Sequence, residues 1–118
     1  NRTVEGLLGQ KGARIDGFYF CPHHPEDNCK CRKPATGLID RAASLHKVDV
    51  KRSYVVGDKA SDVLLAKNAG AKSIMVLTGH GGADVKKLSS IPDYTAPDVL
   101  EAARWIVEDI KKIKCASL

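Results

Sequence analysis

Three thiols and an imidazole lie within eleven residues in the first third of the chain, spaced as Cys-x-His, five residues, then Cys-x-Cys. These residues are Cys21, His23, Cys29 and Cys31. Four sulfur and imidazole ligands are typical of structural zinc sites, which hold the ion in a tetrahedron. Residues i and i+2 of an extended chain project from the same side, so each pair can grip one ion. The spacing predicts a zinc loop over residues 21–34, with two cations, Arg32 and Lys33, directly after the last ligand.

Other interpretations of this cluster stay open. Neighbouring cysteines can form a disulfide and leave one thiol over, although disulfide frameworks are typical of small secreted chains. The printed residues contain no signal-peptide pattern and no long apolar run, which favours reduced thiols and metal. His24 competes with His23 for the ligand position, and the Cys-x-His spacing favours His23. Cys115 lies far from the cluster, near the last printed residue, and is interpreted as a bystander.

A second candidate site follows an apolar segment in the middle of the chain. Gly57 ends that segment and is followed by Asp58, Lys59 and Asp62 as Gly-Asp-x-x-x-Asp. A carboxylate at the carboxyl end of a strand can bind Mg²⁺, which takes a few carboxylates together with phosphate and water oxygens. The same pattern also fits a strand end followed by a helix start with no function, and Lys59 equally fits a solvated lysine. Asp62 would lie in the first helical turn, where the helix dipole stabilises a negative charge.

The composition is that of an ordinary globular domain. The chain has 118 residues, of which 43% are hydrophobic and 28% charged, and its net charge is +5. A positive charge favours an anionic ligand. Nucleic acid is not favoured as the partner, because aromatic residues are only 5% and the lysines are scattered. We therefore expect a cytoplasmic protein with a small anionic ligand and no membrane or nucleic-acid partner.

Strand and helix patterns alternate along the chain at short spacing. Apolar β-type runs predict strands at 15–20, 53–57, 73–78 and 94–95. Helical periodicity predicts helices at 2–10, after Pro34, over 61–69 with Ser61 as the cap and Gly70 as the stop, and from Pro97 onward. This alternation predicts an α/β fold, a Rossmann-like parallel sheet flanked by helices.

The same patterns predict how the elements pack. Ligands bind at the carboxyl ends of such sheets, so the zinc loop, Asp58 and the 79–82 loop should meet at one edge. That glycine-rich loop is interpreted as a flexible connection. The final helix is expected to turn one apolar stripe toward the core, formed by Leu100, Ala103, Val107 and Ile110.

These residues together give the chain a specific resemblance. Cys-Pro-His-His-Pro, then Cys-x-Cys-Arg-Lys-Pro, then Gly-Asp-Lys-x-x-Asp resemble the motifs of the haloacid dehalogenase-like phosphatases. More narrowly, they resemble the motifs of the zinc-loop subgroup, which includes heptose bisphosphate and histidinol-phosphate phosphatases. The resemblance extends over residues 1–118 as a single domain.

The resemblance implies a role for each matching residue. Lys33 steadies the transferring phosphoryl group, and Asp58 is the carboxylate that binds catalytic magnesium. Arg32 recognises the substrate, and Lys59 contacts it as a neighbour. The four Cys and His residues of the loop hold a structural zinc ion, and the loop stands in for a cap domain that shapes the leaving-group pocket.

One part of the family pattern is not found. These phosphatases form an aspartyl-phosphate on an Asp-x-Asp motif at the end of their first strand, and they use a Ser or Thr that binds phosphate. Before the zinc loop, the printed residues offer only Glu5 and Asp16 as carboxylates, in no such arrangement. We interpret the chain as the C-terminal portion of the family domain, without its N-terminal strands. We expect it to be poorly active by itself and able to associate through exposed strands, whereas the complete enzyme should be a monomer.

The function expected from this resemblance is Mg²⁺-dependent hydrolysis of D-glycero-D-manno-heptose 1,7-bisphosphate. Arg32 favours this bisphosphate, because it can bind a second anionic group. The alternative within the class is histidinol phosphate. The alternative from another class is a non-catalytic zinc-binding α/β module that binds an anion or a partner protein.

Overall fold

The computed structural model describes residues 15–17, 33 and 35–116. The predicted helix at 2–10 and the predicted zinc ligands lie outside these residues. So does most of the predicted strand at 15–20, whose described residues, 15–17, have no regular secondary structure.

A parallel sheet of three strands forms the centre of the described part of the chain. Strand β1 is Tyr54–Gly57, β2 is Lys72–Val76 and β3 is Tyr94–Ala96, in the spatial order β1-β2-β3. In the register, Gly57 lies opposite Met75, and Val76 opposite Ala96. Both pairs are parallel, as the alternation predicted, and parallel neighbours need a long crossover between them.

Helices supply these crossovers and flank the sheet. Helix α1 is Gly37–His46, α2 is Ala60–Ala69, α3 is Gly81–Asp84 and α4 is Val99–Ala116, with 3₁₀ turns at Val50–Arg52 and Val85–Lys87. The predicted stop of α2 is confirmed, since Gly70 has φ of 84° and its N–H donates to the Ala66 carbonyl at 2.9 Å. The predicted cap is wrong, because α2 begins at Ala60 and Ser61 lies inside it. The α/β class and the sheet predicted from the sequence are confirmed.

One face of the sheet packs against α4 to form the hydrophobic core. Ile74, Val76, Ala96 and Ala102 are buried in it, with Tyr54, Tyr94, Trp105 and Ile106 packed around them. The Trp105 indole stacks on the Tyr94 ring with centroids 5.1 Å apart and meets the Tyr54 ring edge-on at 6.3 Å. By strand alternation Met75 points to the opposite face, where α2 buries Val63, Leu65 and Ala66.

The predicted inward stripe of α4 is wrong. Leu100 is 60% exposed, Val107 50% and Ile110 39%, and Ala103 is also exposed. The helix instead turns Ala102, Trp105, Ile106 and Asp109 toward the sheet. This rotation wins because small Ala102 lets the helix approach Ile74, while Trp105 fills the space between two tyrosine rings.

A polar clamp also fixes this rotation of α4. The Asp109 carboxylate accepts hydrogen bonds from the Tyr54 hydroxyl at 2.5 Å and from Lys72 Nζ at 2.7 Å, at the starts of β1 and β2. The Lys72 hydrogen bond, followed by that of Tyr54, lowers the pKa of Asp109. Burial, together with the Asp109 carboxylate, raises the pKa of Tyr54 to about 12, so the phenol stays protonated at neutral pH. The Tyr54 hydroxyl therefore stays a donor, and Asp109 a charged acceptor, across the neutral pH range.

None of the helices in the described part of the chain is both long enough and apolar enough to cross a membrane.

We predict that Ile74→Ala lowers the free energy of unfolding by about 2–5 kcal/mol, because it leaves a cavity between α4 and the sheet. Ile74 is 1% exposed, whereas Ile91 is 95% exposed, so Ile91→Ala is the matched control. The control should change stability by no more than about 0.5 kcal/mol. Urea unfolding followed by Trp105 fluorescence measures both variants, and similar losses would contradict the described core.

Candidate active site

The candidate site lies at the edge where β1 and β2 both end. After β1 the chain passes through Asp58 and Lys59 into α2, and after β2 it passes through Gly79 and His80 into α3. Neighbouring parallel strands end at the same edge of the sheet, so the two connections lie side by side. The predicted meeting of Asp58 with the glycine-rich loop is therefore confirmed.

Asp58 is held by the connection that follows β2. Its Oδ2 accepts a hydrogen bond from the His80 backbone N–H at 3.0 Å. Gly79 has φ of 59°, and a Cβ at this position would collide with the same carboxylate oxygen. The His80 amide is the main reason that the pKa of Asp58 lies below its ordinary value of 3.8; partial burial opposes this shift. Asp58 is thus an ionised, oriented oxygen donor at neutral pH.

Asp62 is the buried acid of the site. Its residue is 7% exposed, and its two carboxylate oxygens have different partners. Oδ1 accepts from Lys33 Nζ at 2.5 Å, and Oδ2 accepts from the Lys59 backbone N–H at 3.2 Å. A buried carboxylate is costly unless it is paired and hydrogen-bonded, and both conditions are met here.

Lys33 reaches this edge from a distant part of the sequence. Its side chain remains 45% exposed while the ammonium group contacts Asp62. The sequence predicted Lys33 and Asp58 as site residues, but it gave no indication that Asp62 would be the partner of Lys33.

The close approach of β1 to the start of α2 requires glycine at position 57, since a Cβ on Gly57 would overlap the Asp62 side chain.

Asp84 is a further site residue that the sequence analysis missed. Its Oδ2 accepts from the Ala60 N–H at 2.9 Å, so the end of α3 ties down the first residue of α2. This hydrogen bond is the main cause of the lowered pKa of Asp84. The glycine-rich loop, interpreted from the sequence as a flexible connection, is thus partly helical and is held by hydrogen bonds at both ends. No motif spacing signals this contact, because it joins two separate connections.

The other predicted site residues have different positions. Lys59 lies directly after Asp58 with an exposed side chain, and its backbone N–H serves Asp62. Arg32 and the four predicted zinc ligands lie outside the described residues.

The donor chemistry of the site fits a hard cation. Among the described residues no group of three His, Cys, Asp or Glu side chains converges as a metal site. Asp58, however, presents an ionised carboxylate at the end of β1, directly before Lys59 in the chain. Mg²⁺ is commonly bound by one or two carboxylates together with substrate phosphate and water oxygens. Asp58 can therefore supply one ligand to magnesium.

Comparison with known proteins gives the family. A family model described as HAD-hydrolase-like matches residues 30–102, which include Lys33, Asp58, Asp62 and Asp84. The chain belongs to this family. The resemblance seen in the sequence is thus confirmed.

Two similar curated proteins are named as heptose bisphosphate phosphatases. The chain is 49% identical over 96 residues to a D-glycero-beta-D-manno-heptose-1,7-bisphosphate 7-phosphatase of Helicobacter pylori, with 76% of this chain and 55% of that protein covered. It is 40% identical over 119 residues to a D-glycero-D-manno-heptose-1,7-bisphosphate 7-phosphatase of Thermosynechococcus vestitus, with 90% and 61% covered. The chain therefore spans between half and two thirds of the length of these relatives.

A solved structure agrees in fold. It is the D,D-heptose 1,7-bisphosphate phosphatase of B. bronchiseptica complexed with magnesium and phosphate. It matches with a TM-score of 0.80 at 29% identity, covering 92% of this chain and 61% of that one.

We predict that Gly79→Ala disturbs Asp58 specifically, whereas Gly70→Ala does not. Both glycines have positive φ, so alanine at either position should cost about 1–2 kcal/mol of folding stability. Only at Gly79 would the new methyl group displace the Asp58 carboxylate, because nothing lies within 4 Å of a Cβ at Gly70. Gly79→Ala should therefore cost more stability and raise the pKa of Asp58 toward its ordinary value.

Urea unfolding and an NMR titration of the Asp58 carboxyl carbon measure the two effects. The folded-state pKa of Asp58 is depressed, so its stabilising contribution is present above about pH 4 and is lost as the pH falls through the lower folded pKa. In Gly79→Ala this acid-dependent contribution should shrink. Equal stability losses and an unchanged pKa in the two variants would contradict the described contact.

Proposed function

We propose that this chain carries the phosphate-steadying and magnesium-binding part of a phosphatase that hydrolyses D-glycero-D-manno-heptose 1,7-bisphosphate. The observation that carries the proposal is the placement of the Lys33 ammonium, fixed by buried Asp62, at the same strand edge as ionised Asp58. The names of the similar proteins and the magnesium and phosphate of the similar structure support the choice of reaction.

Phosphoryl transfer needs positioned charges more than it needs covalent chemistry from the protein. Lys33 would present a point charge to the phosphate oxygens. Its ion pair with Asp62 limits the directions in which the flexible side chain can point, so little further ordering is needed when the substrate binds. Asp58 would hold magnesium, which offsets negative charge on the phosphate and on the attacking group.

Substrate recognition is assigned to Arg32 and Lys59, which are next to Lys33 and Asp58 in the sequence. Arg32 precedes Lys33 in the chain and can offer a planar fork to a second phosphate or to sugar oxygens. Lys59, exposed beside Asp58, would contact the substrate as well. A requirement for two anionic groups favours the bisphosphate over histidinol phosphate.

The zinc loop is proposed to set the position of these cations. Cys21, His23, Cys29 and Cys31 would hold a structural zinc ion, which fixes the loop that ends at Arg32 and Lys33. The loop would also border the leaving-group pocket. Zinc in this role stabilises the fold and takes no part in phosphoryl transfer.

The nucleophile of the proposed reaction does not lie among the printed residues, which contain no Asp-x-Asp. An aspartyl-phosphate would therefore form on a carboxylate outside them, and this chain alone should bind ligand but turn over poorly. A cytoplasmic monomer is the proposed state of the complete enzyme. A non-catalytic zinc module that binds an anion is the rival function.

The test measures phosphate release from the heptose bisphosphate, with and without Mg²⁺. Two proteins are compared. One is the printed chain, and the other is the same chain extended by the residues of any coding sequence that precedes Asn1. We expect Mg²⁺-dependent turnover in the polypeptide that supplies Asp-x-Asp, and a kcat/KM lowered about 10²–10³-fold by Lys33→Ala. Lys67→Ala removes an exposed lysine far from the site and should have no effect. Turnover that persists in Lys33→Ala, or that needs no Mg²⁺, would reject the proposed roles, and no turnover at all would favour the non-catalytic module.

A second prediction separates the two candidate substrates. Arg32→Ala should lower kcat/KM for the bisphosphate by at least about tenfold more than for histidinol phosphate, because only the bisphosphate offers a second phosphate to the guanidinium group. Parallel assays of both substrates with the wild type and the variant measure this difference. Equal losses would remove Arg32 as a reason to prefer the bisphosphate.

A third prediction concerns the metal loop. We expect native protein to contain one zinc ion per chain, and Cys29→Ser to lose zinc and unfold at a lower temperature, because metal binding contributes folding energy in such loops. Cys115→Ser is the matched control and should keep both zinc and stability. Elemental analysis and thermal unfolding make the comparison, which fails if the two serine variants behave alike.

A further inference from the structure

A cationic cavity lies at the opposite end of the sheet from the candidate active site. It has a volume of about 610 Å³ and opens between the 3₁₀ turn Val50–Arg52, the first residues of β1 and β2, and the last turns of α4. This volume is within the range of small-molecule pockets, about 300–1,000 Å³. We refer to this cavity, bounded by Lys51, Arg52, Lys72 and Lys114, as the basic cleft.

The charges around the basic cleft have predominantly one sign. Four lining side chains are cationic, Lys51, Arg52, Lys72 and Lys114, and one, Asp49, is anionic. Lys72 is already neutralised by Asp109 in the clamp. Lys51, Arg52 and Lys114 are exposed and form no ion pair with another described residue. A cleft lined by one sign of charge concentrates counter-ions of the opposite sign.

The basic cleft also has an apolar wall. Ile110 and Ile113 line it from α4 and remain 39% and 41% exposed, and Tyr54 also lines it. An apolar wall can contact the carbon skeleton of an organic phosphate, whereas inorganic phosphate has no apolar part to place there. Cations on one side and isoleucines on the other fit a small molecule with a phosphate group and an apolar body.

The basic cleft cannot be the phosphate site of the proposed reaction. It contacts the first residue of β1, Tyr54, and Ser53 just before it, whereas Asp58 follows the last residue of that strand. Four residues of extended chain separate the two ends by about 13 Å. A ligand held in the cleft would leave the catalytic edge open.

We propose that the basic cleft is a second, non-catalytic binding site for a small organic phosphate. The phosphate lies among Lys51, Arg52 and Lys114, and the apolar part lies against Ile110 and Ile113. The Tyr54–Asp109–Lys72 clamp holds the two walls together, since it joins the starts of β1 and β2 to α4.

Phenyl phosphate is the probe, because it combines one phosphate with one apolar ring. It is titrated into the full chain while backbone amide shifts are followed by NMR. We expect saturable shifts at Arg52, Ser53 and Ile113, weakened by added salt because exposed charges are screened. A separate set of shifts at Asp58 and Lys59 would report the catalytic edge, and Lys33→Ala should weaken that set alone.

Variants on the two walls make the test decisive. Lys51→Ala/Arg52→Ala should weaken phenyl phosphate binding in the cleft by at least about tenfold, the loss expected for a hydrogen bond to a charged group. Lys114→Ala removes a cation from the other wall and should also weaken it. Lys67→Ala/Lys86→Ala removes the same number of exposed cations elsewhere and should leave the affinity within about twofold.

Three outcomes would overturn the proposal. The first is an absence of shifts at the cleft amides while those of the catalytic edge saturate. The second is equally tight binding of phenol, which would make the cleft an apolar site with no preference for phosphate. The third is unchanged affinity in both the Lys51→Ala/Arg52→Ala and the Lys114→Ala variants.

Discussion

The parallel pairing of β1 with β2 is the constraint on which the candidate site depends. Because both strands run in one direction, the connections that carry Asp58 and His80 leave from the same edge. Hydrogen bonds from His80 to Asp58 and from Ala60 to Asp84 then join the two connections. Strands of four and five residues have little stability by themselves, so this edge depends on the core beneath it.

The buried carboxylate of Asp62 orients the Lys33 ammonium group at the site. Asp62 lies under the edge with two donors, the Lys33 ammonium and the Lys59 amide, so its charge is accommodated with little exposure. Lys33 keeps part of its side chain in solvent. The Lys33–Asp62 ion pair therefore offsets the cost of burying a carboxylate in the first turn of α2.

Helix α4 shows how tertiary contacts decide between two acceptable patterns. Leu100, Ala103, Val107 and Ile110 have helical spacing, but so do Ala102, Trp105, Ile106 and Asp109. The first set is more apolar, so periodicity favoured it. The second set faces the sheet because Trp105 stacks on Tyr94 and meets Tyr54 edge-on, and because Asp109 accepts hydrogen bonds from Tyr54 and Lys72. Apolar periodicity alone does not take account of such specific ring contacts and hydrogen bonds.

The sequence by itself determined the α/β class, the order along the chain of the three strands and of helices α1, α2 and α4, the Gly70 stop and the nomination of Lys33 and Asp58. These features depend on local periodicity, on backbone freedom at glycine and on residue types at strand ends, all of which can be read along the chain. Only the tertiary structure decided which face of α4 is buried, that Asp62 pairs with Lys33, and that Asp84 and Gly79 position the α2 start and Asp58. These contacts join residues far apart in the sequence, and their energies depend on distance and burial, which no local pattern contains.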